Sequence, residues 1–188
     1  MPERIVIVGN SATGKTTLAR ELAAQLGYPH IERDALQWGE GWKAVTDADF
    51  RTQVEQATAG ERWIADGNFS RVREMVWGRA DTLVWLDYPL WLILWRLVRR
   101  SWKRLWGGET LWNGNRESLG HLMGRDSVFV WTWKAHWRHR REYPALLGEA
   151  AFDHLRVVRL RRPAETERWR AQILSAKEID EQREGEGG

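Results

Sequence analysis

Apolar and polar positions fall into short blocks along the chain. Arg4 to Val8 is an apolar run closed by Gly9, which predicts a buried strand. Lys15 to Leu26 carries Leu18, Ala19, Leu22, Ala23 and Leu26 at helical spacing, with Gly27 behind as a stop. Tyr28 to Asp34 reads as a weaker strand. Thr46 and Asp49 form a capping-box pattern that opens a helix to about Ala59, before Gly60. Arg62 to Ala65 reads as a strand ending in the turn Asp66-Gly67-Asn68, and Thr82 to Leu86 as another ending at Asp87. Pro89 suits the first turn of a long helix to about Trp106, stopped by Gly107-Gly108. Asp126 or Ser127 caps a helix through Arg141, Leu155 to Leu160 is a last strand, and Pro163 starts a last helix. Strands interleaved with helices predict a parallel α/β sheet with right-handed crossovers.

Composition narrows the class. The 188 residues suit one domain, and 43% hydrophobic with 29% charged residues is globular. The absence of cysteine excludes a disulfide framework, an iron–sulfur cluster and thiol-based zinc. Ile5 to Val8 is too short for a signal core, and Thr82 to Leu94 is interrupted by Asp87, so the expected setting is cytoplasmic with no membrane partner. Charge is uneven: Trp91 to Arg141 holds eleven Lys/Arg against three Asp/Glu, and 8 of the 14 Trp. The expected organisation is a single domain over 1–176, a basic lid over about 96–141 and a polar tail over 177–188. His121, His136 and His139 lack metal-ligand spacing and read as surface residues.

The strongest motif is Gly9-Asn10-Ser11-Ala12-Thr13-Gly14-Lys15-Thr16, which fits G-x-x-x-x-G-K-[ST] between an apolar strand and a periodic helix. Its glycines let backbone N–H groups converge on phosphate oxygens, and the helix start adds positive potential. Lys15 supplies a full charge to the β- and γ-phosphates, and the Thr16 hydroxyl suits Mg²⁺. The expected ligand is a nucleoside triphosphate, ATP with Mg²⁺, held by Gly9 to Thr16 and by Thr17.

Three carboxylates stand at expected strand ends, where ligands of open α/β sheets bind. Asp66 and Asp87 compete as the second Mg²⁺ anchor, and each also suits a turn or cap. Asp34 can orient an acceptor hydroxyl and take its proton, with Glu32 and Arg33 competing beside it.

On a helical wheel of Pro89 to Trp106, Trp91, Leu94, Trp95, Val98, Trp102, Leu105 and Trp106 share one face, and Arg96, Arg99, Arg100, Lys103 and Arg104 the other. A second cationic set is Lys134, Arg138, Arg140 and Arg141. Three roles remain open: a clamp on the transferring phosphoryl group, a nucleic-acid surface with bases on Trp, or a solvated basic face over a Trp-filled core.

The phosphate loop together with Asp34 to Trp38, Gly41-Trp42, Trp63 to Ser70 and Arg79 to Asp87 resembles the adenylate-kinase-like P-loop proteins called DNA topology modulation proteins (FlaR-like). The likeness covers most of residues 4 to 162. It implies a P-loop NTPase fold, a five-stranded parallel sheet flanked by helices, with a helical basic lid. It implies Asp66 on the Mg²⁺ side, Arg96 and Arg100 opening the lid, Arg138 and Arg141 returning from it, and Arg161 near the adenine. Asn68-Phe69-Ser70-Arg71 replaces the Phe-Pro-Arg that follows in adenylate kinases, which argues against AMP as acceptor. The combined expectation is transfer of the ATP γ-phosphoryl group to a small, nucleoside- or nucleotide-like acceptor that the sequence does not identify. Lys15, Asp34, Arg96, Arg100 and Arg138 are the expected catalytic residues, and Thr16 and Asp66 the metal residues. The alternative is a nucleotide-dependent, topology-modulating DNA binder with little turnover. Oligomeric state is not specified.

Overall fold

The computed structural model describes residues 1–37, 45–107 and 128–186. Five strands, β1 (Arg4–Gly9), β2 (His30–Glu32), β3 (Trp63–Asp66), β4 (Thr82–Leu86) and β5 (Arg156–Leu160), form one parallel sheet in the order β2-β3-β1-β4-β5. The helices are α1 (Lys15–Leu26), α2 (Arg33–Gln37), α3 (Asp47–Ala57), α4 (Arg73–Arg79), α5 (Leu90–Gly107), α6 (Val128–Leu146) and α7 (Pro163–Glu186), with a short 3-10 turn at Ala150–Phe152.

Alternation along β1 divides the core. Val6 and Val8 face a cluster with Phe50, Val54, Trp63, Val76, Trp77, Tyr143 and Phe152. Ile5 and Ile7 face the other, with Leu18, Leu22, Ile93, Trp169 and Ile173. Both sheet faces are covered, as a parallel sheet requires. The expected strands and α/β class stand, with boundaries shifted by one or two residues.

Three expectations change, and one helix is added. Asp34 does not end β2; it lies in the first turn of α2, because the strand closes at Glu32. Helix α4 was not legible, and its Val76 and Trp77 are fully buried. Residues 177–186 are not a loose tail but continue α7, where Lys177 Nζ donates to the Gln25 carbonyl at 2.8 Å. His136 and His139 are buried, not on the surface; His121 lies outside the described residues.

The Trp habit divides too. Trp63, Trp77, Trp85 and Trp169 fill the core, whereas Trp91, Trp95, Trp102, Trp133 and Trp137 are exposed. On α5 Ile93 and Leu97 are buried, whereas Trp91, Trp95, Val98 and Trp102 of the stripe read from the wheel are exposed. The long apolar stripe lost to two aliphatics because the inward side must also carry Arg96 and Arg100 toward the phosphate loop. Trp38, Gly41 and Trp42, and the expected caps Asp126 and Ser127, lie outside the described residues. Among the described residues no helix is long and apolar enough to cross a membrane.

Candidate active site

β1 delivers the chain to the phosphate loop at the carboxyl edge of the sheet. Gly9 has φ 150°, and a Cβ there would stand 2.8 Å from the Leu86 carbonyl oxygen. Only glycine lets the loop leave the strand so close to β4. Ala12 (φ 58°) and Gly14 (φ 94°) then turn the backbone left-handed, curling successive N–H groups inward. Gly14 caps α1 with no side-chain hydrogen bond, so the first-turn N–H groups stay available to an anion.

The cavity beside this loop measures about 540 Å³ and is lined by Ser11, Ala12, Gly14, Lys15, Thr16, Thr17 and Arg20 on one side. Glu32, Asp34, Asp66 and Gly67 form another wall, and Arg96 and Arg100 reach in from α5. Gly9, Asn10 and Thr13 form the inner side of the loop: Thr13 Oγ1 and Lys15 Nζ both donate to the Asn10 carbonyl at 2.8 Å. Burial pushes the Lys15 ammonium below its ordinary range, and Arg100 and Arg33 push the same way against Asp66 and Asp34. A polyphosphate reverses this by supplying the anion the ammonium lacks.

The oxygen donors gather opposite Lys15. Thr16 Oγ1 donates to Asp66 Oδ2 at 2.5 Å, and His30 Nε2 lies 2.9 Å from Asp66 Oδ1. Glu32 stands close enough that burial first, and the Asp66 charge second, push its carboxyl up to about 7. A hydroxyl beside one or two carboxylates is a hard-oxygen set that fits Mg²⁺, which keeps waters and binds phosphate oxygens as well. Among the described residues no three His, Asp or Glu form a closed cage for a metal.

Asp87 is committed elsewhere. It is buried, and it accepts from Arg140 Nε at 2.7 Å and from Arg159 Nη2 at 2.6 Å. Arg159 also lies 4.2 Å over the Trp85 ring. Asp66 and Asp87 differ in their neighbours: Asp87 ties α6 and β5 to the end of β4, while Asp66 faces Thr16. Arg140, one of the second cationic set, is structural for the same reason.

Arg96 and Arg100 of α5 meet the loop. Arg96 Nη1 donates to the Thr13 carbonyl at 3.0 Å, and Arg100 Nη2 lies 3.4 Å from Ser11 Oγ. Arg161 does not join them: it is exposed after β5, where its backbone N–H donates to Glu165 at 2.6 Å. Arg138 is also absent from this cavity.

Arg138 lines a second cavity of about 260 Å³ with Arg33, Asn68, Ser70, Arg73, Trp131, His139 and Glu142. The two cavities are lined by consecutive residues: Asp34 and Gly67 line the first, and Arg33 and Asn68 line the second. Gly67 (φ 132°) makes this possible, because a Cβ there would come within 2.6 Å of Arg33 Cβ. Asn68 connects both: its Oδ1 accepts from the Gly9 N–H at 3.1 Å, and its Nδ2 reaches His139 Nε2 at 3.4 Å. Burial, then Arg138, Lys15 and Arg73, push His139 down to about 4, so it is a neutral acceptor here. Asn10 adds a further tie, its Nδ2 donating to the Thr132 carbonyl of α6 at 2.7 Å. Arg73, Trp131 and Glu142 were not singled out from the sequence; no periodicity signals a wall made by two distant helices.

Comparison with known proteins agrees with this architecture. The ATPase family associated with various cellular activities (AAA) matches residues 5–64, the stretch from β1 through α1 into β3. A shikimate kinase of Nitratidesulfovibrio vulgaris is 30% identical over 116 residues, 51% of this chain and 63% of that protein, so the chain spans less than two thirds of that relative's length. A gluconokinase from Sinorhizobium meliloti superposes at a TM-score of 0.52 with 19% identity, covering 95% of this chain and 97% of its own. A shikimate kinase from Bacteroides thetaiotaomicron does so at 0.55 with 15% identity, covering 95% and 99%. The shikimate kinase of Acinetobacter baumannii, solved in complex with shikimate, gives 0.55 at 16% identity, covering 95% and 94%. This chain has the α/β fold of these kinases, with a phosphate-loop motif between β1 and α1.

Proposed function

We propose that the protein is an ATP·Mg²⁺-dependent small-molecule kinase acting in the cytoplasm. One observation carries this reading: Asp34 and Gly67 of the phosphate-loop cavity adjoin Arg33 and Asn68 of a second cavity lined by cationic and hydrogen-bonding side chains. A hydrolase has no need of that second chamber. The loop amides, Lys15 and the first turn of α1 hold the polyphosphate. Thr16 and Asp66, with Glu32 beside them, would hold Mg²⁺, which would supply charge neutralisation to the polyphosphate. Arg96 and Arg100 complement the charge of the moving phosphoryl group. Asp34 lines the nucleotide side and is half exposed, so it can meet a hydroxyl from the second cavity. The acceptor oxygen forms a bond to the γ-phosphorus as the bond from that phosphorus to the β–γ bridging oxygen breaks. ADP leaves, and the hydroxyl proton passes to the Asp34 carboxylate. The relatives named as shikimate kinase and gluconokinase support this class of reaction, and the likeness to the FlaR-like proteins remains a finer assignment that we infer from Asp66 to Ser70. The test is ADP formation across a panel of small alcohols, sugars and hydroxy acids. Acceptor-dependent ADP, lost in Asp34→Asn with ATP affinity kept, supports the reading; ADP formation independent of every acceptor contradicts it.

A second reading, single-stranded nucleic acid on α5, draws on one observation. Trp91 and Trp95 are exposed at 69% and 54%, and the Arg99 guanidinium lies 5.6 Å over the Trp95 ring. Indoles beside cations can stack bases and hold phosphates. A DNA affinity that falls steeply with salt, and less steeply in Arg99→Ala, favours it; no measurable affinity at low salt removes it.

A further inference from the structure

We propose that the outward face of α5 is a peripheral docking surface for an anionic phospholipid membrane, with Trp91, Trp95, Val98 and Trp102 lying among the headgroups and Arg99 beside them on lipid phosphate. The inference does not depend on the phosphoryl-transfer reading. It concerns the side of α5 turned away from the phosphate loop.

The two sides of α5 differ in chemistry. Ile93 and Leu97 are buried in the fold, and Arg96 and Arg100 reach the phosphate loop. At about 100° per residue, Trp91, Trp95, Val98 and Trp102 fall on the opposite side. Each of these four is more than half exposed. Their spacing of four, three and four residues makes one stripe. It runs about 16 Å along the helix, since each residue rises about 1.5 Å. Single exposed apolar residues are ordinary, but a continuous stripe of three indoles and a valine marks an interaction surface.

Charge selects the sign of the partner. α5 and residues 128–141 of α6 together hold nine Lys/Arg and no Asp or Glu. Arg99 borders the stripe, exposed, with its guanidinium 5.6 Å over the Trp95 ring. A face with cations and no carboxylates complements an anionic surface. The same face on a second copy of this chain would bring like charges together, which opposes self-association through it.

Residue type selects lipid among the anionic partners. An indole has an apolar ring and a polar N–H, which suits the boundary between acyl chains and headgroups. Val98 also gains from that boundary, whereas base stacking uses aromatic planes and gives an aliphatic side chain nothing. A strongly amphipathic helix with Trp on its apolar side and cations at the flank lies in the plane of a bilayer surface. Helix α6 packs against α5 and repeats this chemistry, with Val130, Trp133 and Trp137 exposed beside exposed Lys134 and Arg141. No described helix is long and apolar enough to span a membrane, so the contact is peripheral. This departs from the expectation of no membrane partner, which weighed only signal and spanning segments.

The test is co-sedimentation of the full chain with vesicles of phosphatidylcholine alone and of phosphatidylcholine mixed with phosphatidylglycerol. Three variants accompany it: Trp91→Ala with Trp95→Ala, Trp91→Phe with Trp95→Phe, and Arg99→Gln, each verified as folded by circular dichroism. Quenching of Trp fluorescence by brominated lipid reads insertion in the unaltered chain. The expected result is binding at least about tenfold tighter to the anionic vesicles, weakening with salt. The paired alanine change lowers vesicle affinity about tenfold or more, and the paired phenylalanine change keeps most of it. Arg99→Gln lowers the anionic preference about fivefold. No binding to anionic vesicles at low salt, equal binding to neutral ones, or binding unchanged by the paired alanine change overturns the inference. A single-stranded oligonucleotide bound in place of vesicles, and released by the paired alanine change, overturns it in favour of nucleic acid. A dimer in sedimentation velocity that the same change dissolves overturns it in favour of a second copy. Each of these outcomes leaves the kinase reading standing, since acceptor-dependent ADP formation tests that separately.

Discussion

The Thr16 hydroxyl donates to the Asp66 carboxylate over 2.5 Å, joining the first turn of α1 to the end of β3. Strand β3 places Asp66 by pairing with β1 in the register Ile7 to Asp66, so the loop and its carboxylate are fixed by one strand pair. Both residues offer oxygen, and His30 holds the other carboxylate oxygen at 2.9 Å. Asp66→Asn is expected to raise the Mg²⁺ concentration for half-maximal ATP binding by about tenfold or more, with Thr16→Ala giving a smaller shift in the same direction. Titration of Mg²⁺ at fixed ATP, read by calorimetry, checks this. An unchanged Mg²⁺ dependence in Asp66→Asn would put the metal elsewhere.

Glu32 sets a pH dependence. Its carboxyl is pushed from 4.5 up to about 7 by burial and by the Asp66 charge. Mg²⁺ is bound by the deprotonated carboxylate, so metal affinity is expected to rise with pH and level off above about 7. The metal-free protein behaves oppositely. Between pH 4.5 and about 7 the folded state holds a proton that the unfolded state has lost, so stability falls as pH rises through that window. Glu32→Gln is expected to flatten both profiles. Denaturant melts and Mg²⁺ titrations from pH 5 to pH 9 measure the two.

Asp87 carries stability. Replacing it with Asn removes the charge facing Arg140 and Arg159, leaving two guanidiniums against a neutral amide. Loss of one partner of a buried ion pair costs about 3–5 kcal/mol. Both arginines are about a third exposed, so about 2 kcal/mol is expected for Asp87→Asn. Urea unfolding gives the stability change, and ATP affinity in the folded state is expected to stay close to that of the wild type.

How much of this was legible in the sequence depends on range. Local patterns were sufficient where a few neighbouring residues set the conformation. Gly9 to Thr16 formed the expected loop, and Thr46 Oγ1 accepts from the Asp49 N–H at 3.1 Å as the capping pattern requires. Pattern stopped being informative where the outcome depends on what packs opposite. The wheel of α5 found an apolar stripe but not its direction, because the inward face is chosen by the needs of Arg96 and Arg100 at the loop. Asp66 and Asp87 looked alike as strand-end carboxylates, and only the approach of Arg140 and Arg159 separates them. The second cavity was invisible for the same reason: Arg73 and Trp131 are far apart in sequence and meet only because α4 and α6 pack on the same side of the sheet.

The central claim is that the loop from Gly9 to Thr16 grips the phosphates of ATP. Calorimetric titration of ATP with Mg²⁺ into the wild-type chain and into Lys15→Ala tests it most directly. The account predicts saturable one-to-one binding in the wild type and no measurable binding in the variant, with both proteins folded by circular dichroism. Micromolar affinity retained in Lys15→Ala would contradict it.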